Sequence, residues 1–273
     1  MAEAGYSPTA VCGLPPRMEI VGVPISLISY DEILGTIAHR PADRALVIAV
    51  CNVHSVMTAR RDAVLYAAIS RADIATTDGV PLTWVARLTC RPGQARIYGP
   101  DLMKQALQHG IHLGWRHYLY GTTPQTLERL RSAIARFAPG AIVVGQTAPP
   151  FREFTPPETE AVVAEIGSSG ADIVWVGLGM PRQEKWMHQV ARRLPGKTLI
   201  GVGAAFDLLS GRVPQAPPAL QRIGLEWAFR LWQEPRRLWR RYLLNNPLYM
   251  MLAAGQLVRY RLDSIRAQRS PPA

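Results

Sequence analysis

The chain of 273 residues has three cysteines, Cys12, Cys51 and Cys90, none in a CxxC pair. That is too few for a disulfide framework. It suits a reducing cytoplasm, where the thiols serve as small apolar side chains. No apolar run reaches the roughly 18 to 20 residues that a membrane-spanning helix needs. The N-terminus lacks a basic start followed by an apolar run, the mark of a secretory signal, so residues 1–17 are expected to form a loose leader. Motifs with strong chemical meaning are missing too. There is no DxD, so a metal-chelating nucleotide-sugar site of the common kind is unsupported, and there is no Walker A, no GxSxG and no GxGxxG on an early strand. His109, His112 and His117 have no cysteine partner and no HExxH setting, so no metal site is expected. The 22 Gly and 23 Pro follow no period, which excludes collagen-like and low-complexity chains.

What remains is the composition of a folded protein, 48% hydrophobic and 19% charged, with a net charge of +11. The charge is uneven. From Arg212 onward there are 11 Arg and no Lys against Glu226, Glu234 and Asp263, so this tail carries +8. It also holds Trp227, Phe229, Trp232, Trp239, Tyr242, Tyr249 and Tyr260. Arginine interleaved with Trp and Tyr on helical segments fits a membrane interface. It fits a nucleic-acid backbone as well, and a solvated helical face is the plain alternative.

Residues 18–205 alternate strand and helix signals. Strands are predicted at Met18–Val23, Ala45–Val50, Arg116–Tyr120, Ala141–Val144, Asp172–Val176 and Thr198–Val202, several as continuous apolar runs of the kind buried on both faces. Ser29-Tyr-Asp-Glu32 has capping-box spacing, Thr123-Pro124 and Pro156-Pro157 open helices, and Pro181 is expected to open another. Strand–helix alternation predicts an α/β fold with a mostly parallel sheet. After Gly211 only helices are expected, over residues 218–233, 235–243 and 247–266. The Pro-rich segment 213–218 makes a joint, dividing an α/β core at 18–211 from an all-helical appendage at 212–273.

In parallel sheets ligands gather at the carboxyl ends of the strands. Four polar clusters fall there: Cys51-Asn52-Val53-His54-Ser55, Thr76-Thr77-Asp78-Gly79, Gly177-Leu-Gly179-Met-Pro181-Arg-Gln183-Glu184 and Gly203-Ala-Ala-Phe-Asp207. The glycines of the third allow close backbone approach, and the helix after it can offer N–H groups to a phosphate; a plain strand-to-helix turn reads as well. Asp78 is either a proton acceptor for a sugar hydroxyl or an N-cap. Asp101 leans toward capping, and Asp207 is a ligand contact or a turn residue. His54 beside Asn52 is a ligand-contact candidate.

At these residues the chain resembles a known family. Asn52-Val-His, Thr77-Asp78-Gly79, Arg96-Ile-Tyr-Gly99-Pro-Asp101, Gly177-Leu-Gly-Met-Pro-Arg-Gln183-Glu184-Lys-Trp186 and Gly201-Val-Gly-Ala-Ala-Phe-Asp207 occur in order, with Gly224-Leu-Glu-Trp-Ala-Phe-Arg230 and Glu234-Pro-Arg236-Arg237-Leu-Trp-Arg240 in the tail. The set is similar to the WecG/TagA/CpsF glycosyltransferases, glycosyltransferase family 26, over about residues 18–250. The resemblance implies a Rossmann-like α/β core with a C-terminal helical appendage, and a metal-independent inverting transferase without cofactor. It would move N-acetylmannosamine, or another hexose such as glucose, from a UDP-sugar to a polyprenyl-diphosphate-linked saccharide. It also implies a tail that reaches the inner face of the cell membrane and helps close the active site, and products that feed teichoic acid or exopolysaccharide synthesis.

By position, Asp78 matches the family's proposed base, and Arg230, Arg237 and Arg240 match tail arginines that neutralise the leaving diphosphate. Asn52, Arg96, Gln183 and Asp207 match residues of donor binding or catalysis; His54, Thr77, Asp101, Gly177 and Gly179 complete the substrate-binding candidates. One departure is Val50, where many relatives carry a hydroxyl; Ser55 or Thr77 is expected to replace it, or the donor differs. The rival readings are a non-enzymatic membrane- or nucleic-acid-binding protein, and a soluble nucleotide-sugar enzyme whose tail makes a homo-oligomer.

Overall fold

The computed structural model describes residues 13–269; Cys12 and most of the expected leader lie outside them. The chain opens with β1 (Arg17–Ile20) and β2 (Val23–Ser26), an antiparallel hairpin apart from the main sheet. This corrects the single strand expected at Met18–Val23. Val21 and Gly22 turn the chain at φ 52° and 80°, the two consecutive positive values that a tight hairpin turn needs.

Six strands form the main sheet: β3 (Leu46–Cys51), β4 (Ile74–Thr77), β5 (Arg116–Gly121), β6 (Ile142–Thr147), β7 (Ile173–Gly177) and β8 (Thr198–Gly201). Their order is β4-β3-β8-β7-β5-β6 and every pairing is parallel. The first three helices are α1 (Tyr30–Ala38), α2 (Val53–Ala59) and α3 (Ala63–Arg71). They are followed by α4 (Val80–Thr89), α5 (Gly99–Leu113), α6 (Pro124–Phe137), α7 (Pro156–Ser168), α8 (Arg182–Val190) and α9 (Ala205–Leu209). Each parallel crossover lays a helix on a sheet face, so both faces are buried. Side chains alternate accordingly along β3: Val47, Ala49 and Cys51 face Val56, Leu65 and Met187, and Leu46, Ile48 and Val50 face Ile33, Leu102 and Phe206. The fold is thus α/β with a mostly parallel sheet, as expected. Strand β4 is not among the predicted strands, because IATT has only two apolar residues; all four are buried.

Capping is where the sequence suggests it. Ser29 caps α1 and Thr155 caps α7 with full capping boxes, and Thr123 caps α6 before Pro124. Pro181 precedes rather than begins α8, after a cis Met180–Pro181 bond.

After α9 the chain is helical: α10 (Pro218–Arg222), α11 (Glu226–Gln233) and α12 (Pro235–Arg269). The last is one helix of 35 residues with Pro247 inside, where two helices were expected. Proline removes the bond to the carbonyl four residues back, that of Leu243, and Leu243 is 52% exposed, so water can take its place. Across the proline a single stripe, Leu238, Tyr242, Tyr249 and Ala253, stays buried, and tertiary bonds pin the helix on both sides. Asn245 Nδ2 donates to His54 Nδ1 at 3.1 Å, the Tyr249 hydroxyl to the Pro81 carbonyl at 3.1 Å, and the Tyr260 hydroxyl to the Thr89 carbonyl at 2.6 Å. At 1.5 Å per residue α12 is about 50 Å long. Among the described residues no helix is long and apolar enough to cross a membrane.

Candidate active site

All six parallel strands end on one edge of the sheet, and two cavities open there. The larger, about 390 Å³, is lined by residues following five of the strands, with Asn52 and Ser55 after β3, Asp78 after β4, Thr122 and Thr123 after β5, Gly177 to Met180 at β7 and Val202 to Ala205 after β8. Asp207, Arg212, Glu226, Arg230 and Arg237 bring further charged side chains to its wall. Its size falls in the ordinary range of small-molecule sites. The smaller, about 100 Å³, lies between α4 and the C-terminal helices and is lined by Val53, His54, Gly79, Val80, Pro81, Arg96, Gly224, Trp227, Tyr242 and Asn246. Asn52, Asp78, Glu226 and Arg230 line both, so the cavities meet at these four side chains.

Asp78 sits at the junction because β4 ends one residue earlier and its own N–H donates to the Cys51 carbonyl at 2.8 Å, tying it beside the end of β3. Helix α4 is capped by Gly79 without a side-chain bond, so Asp78 is not an N-cap. Arg96 surrounds it on one side: Nε donates to the Asp78 carbonyl at 2.5 Å, and Nη2 is 3.5 Å from Oδ1. The Asp78 side chain is only 18% exposed. Burial pushes its carboxyl up to about 6, with the Glu226 charge adding to that and Arg96 and Arg230 pulling against it.

Asn52 is an N-cap as well as a wall: Oδ1 accepts from the N–H groups of His54 and Ser55 at 3.0 and 3.2 Å. Its amide Nδ2 remains the group that can meet a ligand. His54 Nδ1 accepts from the Asn245 amide, which places the ring proton on Nε2. Gln183 is buried, taking the Gly203 N–H at Oε1 (3.0 Å) and donating from Nε2 to Glu184 Oε1 (2.9 Å), so it shapes the β8 turn at the cavity floor. Gly177 is packed so tightly that an added Cβ would stand 2.6 Å from the Phe206 ring. Gly179 turns at φ 77°.

Most sequence candidates converge here; three do not. Thr77 is fully buried, its hydroxyl donating to the Ala95 carbonyl at 3.0 Å, and it lines neither cavity. Of the two hydroxyls expected to replace the one missing at Val50, Ser55 is the one that lines the larger cavity. Asp101 lies in the first turn of α5, a position that favours an acidic side chain. Arg240 is exposed and stacks on Trp239 at 5.2 Å. Arg230 lines both cavities and its buried Nε–H has no hydrogen-bond partner among the described residues. Arg237 is paired with Glu234 on the helix surface, and Asp207 is paired with Arg212 at 2.8 Å.

Sequence reasoning missed Arg212 and Glu226. Both lie in the charged tail, where nothing local separates a site residue from a surface one. Among the described residues no group of three or more His, Cys, Asp or Glu is placed to hold a metal ion.

The profile of the Glycosyl transferase WecG/TagA/CpsF family matches residues 18–263. Two curated relatives carry the name N-acetylglucosaminyldiphosphoundecaprenol N-acetyl-beta-D-mannosaminyltransferase. That of Bacillus spizizenii is 32% identical over 184 residues, 67% of this chain and 69% of the relative. That of Bacillus subtilis is 31% identical over 205 residues, 75% of this chain and 77% of the relative.

Proposed function

The chain belongs to the WecG/TagA/CpsF glycosyltransferase family, and from that premise we propose that it moves a sugar from a UDP-sugar to a polyprenyl-diphosphate-linked saccharide, with inversion and without a metal. The observation that carries this reading is the meeting of two cavities at Asp78 and Arg230. In it the larger cavity takes the nucleotide-sugar along the strand ends, and the smaller takes the acceptor sugar beside α4. The relatives' names make N-acetylmannosamine the first donor to test and an N-acetylglucosamine-bearing lipid diphosphate the first acceptor.

Chemically, the acceptor hydroxyl attacks the anomeric carbon from the face opposite UDP. Its proton passes to the Asp78 carboxylate, the anomeric C–O bond to UDP breaks, and the bonding pair leaves on the β-phosphate oxygen. One displacement inverts the centre. The added charge on UDP falls beside Arg230, with Arg212 and Arg237 on the same cavity wall. Arginine suits this because its planar fork meets two phosphate oxygens at once.

The first test is UDP release from a panel of UDP-sugars, with and without polyprenyl-diphosphate-N-acetylglucosamine, in chelator. Acceptor-dependent release from one donor supports the reading; silence across the panel from folded protein overturns it. A base titrating near pH 6 also sets the form of the pH profile. Asp78 must be ionised to act, so kcat/KM is expected to fall about tenfold per unit below pH 6 and to level off above it. An acid limb centred near 4 would remove Asp78 as a base of raised affinity for protons.

The tail supplies the proposed attachment to the inner face of the cell membrane. Trp232 is 80% exposed, Leu244 and Met251 are exposed, and Arg236, Arg240, Arg259, Arg261 and Arg266 are exposed among them. Vesicles with anionic lipid are expected to bind the protein at least tenfold more tightly than neutral ones, with the difference shrinking in high salt. Equal, salt-insensitive binding would contradict the electrostatic part.

A further inference from the structure

Glu226, the first residue of α11, reaches into the α/β core. Its Oε2 accepts from Arg96 Nη2 at 2.6 Å and its Oε1 accepts from the Tyr98 hydroxyl at 3.1 Å. The same Nη2 makes a longer ion pair with Asp78, 3.5 Å from Oδ1, an oxygen that is buried and has no well-formed hydrogen bond among the described residues. The guanidinium is fixed at its other end by the bond from Nε to the Asp78 carbonyl and by the Tyr98 ring, 4.3 Å from its centre. One nitrogen thus stands between two carboxylates, bonded to the one that comes from the C-terminal helices.

We infer that Glu226 is a positioning residue for the transfer proposed above: it takes Arg96 as its own ion-pair partner and so keeps the Asp78 carboxylate free to receive the acceptor proton. The inference rests on that reading for its chemistry, but the geometry it invokes exists in the protein without substrates. A shift of Arg96 Nη2 by about 0.5–1 Å would give Asp78 a full charge-assisted bond, and a carboxylate so bonded is a poor base. Docking of α11 is therefore part of what makes Asp78 competent.

The charged groups facing Asp78 are Arg96 from the loop before α5, and Glu226 and Arg230 from α11. Tyr30, Cys51 and Tyr98 are the neutral titratable groups that sense its charge, and His54 lines the smaller cavity with it. Removing the Glu226 charge acts on Asp78 in one direction only. It deletes a like charge and it releases Arg96, and both favour the ionised carboxylate.

The test is a carbon-13 NMR titration of the aspartate carboxyls in the full-length protein without substrates, with the Asp78 signal identified by its absence in Asp78→Asn. In Glu226→Gln, which removes the charge and leaves one acceptor oxygen where the carboxylate has two, the Asp78 midpoint is expected about one pH unit lower than in the wild type. In Glu226→Asp, which keeps the charge on a shorter arm, it should fall between the two. The acid limb of kcat/KM should move with it, and kcat at pH 7 should drop about 3–10-fold as the base weakens. An unchanged midpoint in both variants overturns the inference. So does a Glu226→Gln enzyme as inactive as Asp78→Asn with its midpoint unmoved, because Glu226 would then be the base. Absence of sugar transfer by the wild type overturns the transferase reading separately, and leaves the titration to decide the pairing.

Discussion

Asp78→Asn is expected to lower kcat by about 10³-fold, the middle of the range for loss of a positioned general base, while UDP affinity changes less than about twofold. The asymmetry follows from where Asp78 stands. It lies at the junction of the two cavities, whereas Arg212, Arg237, Gly177 and Gly179 line only the larger one, the proposed nucleotide site. The same substitution should raise stability at neutral pH. A carboxyl held at about 6 in the folded chain, against an ordinary 3.8, binds its proton more tightly folded than unfolded. Stability is therefore lost as pH rises from about 4 to 6, and above 6 the ionised group costs about 3 kcal/mol. An amide mimics the neutral form and escapes that cost. Thermal unfolding at pH 7.5 should show the variant more stable than the wild type, with the gap closing toward pH 4. A variant both inactive and less stable at pH 7.5 would mean that Asp78 serves the fold rather than the reaction.

A gain in stability on loss of activity is what a strained functional site predicts, and it bears on why the sequence was legible where it was. Buried parallel strands announce themselves as apolar runs, and five of the six sheet strands could be read that way. Strand β4 could not, because a strand carrying a site at its end gives up apolar residues to it: Thr76 and Thr77 are buried by the fold around them, not by their own hydrophobicity. The strand-end rule then found Asn52, Asp78, Gly177, Gln183 and Asp207 without any knowledge of contacts, since topology alone places those residues on one edge.

Long-range pairings were not legible. Glu226 meets Arg96 across 130 positions of sequence, and its neighbourhood, EWAFRLWQ, reads as an amphipathic surface helix. Pro247 misled for a related reason. Its local preference is to begin a helix, but a buried stripe and the side-chain bonds of Asn245, Tyr249, Gln256 and Tyr260 to the core override that preference. Thr77, Asp101 and Arg240 sit in the right segments yet line neither cavity, a distinction that depends on rotamers and periodicity within one turn.

Arg230→Ala is expected to lower kcat by about 10²–10³-fold, the usual effect of removing one donor aimed at developing charge. The resemblance implies a charge-neutralising role for three tail arginines, Arg230, Arg237 and Arg240, and the structure separates them. Arg230 lines both cavities and keeps a buried Nε–H without a partner among the described residues. A buried donor in that state needs a reason, and a departing diphosphate supplies one. Arg237 lines the larger cavity but is occupied by Glu234, and Arg240 lies outside both, on the Trp239 ring. The expected ranking is therefore Arg230 well above Arg237, with Arg240→Ala within about tenfold of the wild type. Arg230→Lys should recover only part of the loss, since an ammonium keeps the charge but not the fork. The loss should also be uneven between ground and transition states. UDP carries one more negative charge than the diphosphate of the UDP-sugar, so the Ki for UDP should rise more than the KM for the donor. Equal rises would assign Arg230 to uniform binding of the diphosphate. An Arg240→Ala enzyme as damaged as Arg230→Ala would require the start of α12 to close further over the cavity during turnover, bringing the Arg240 guanidinium off the Trp239 ring and onto the phosphates.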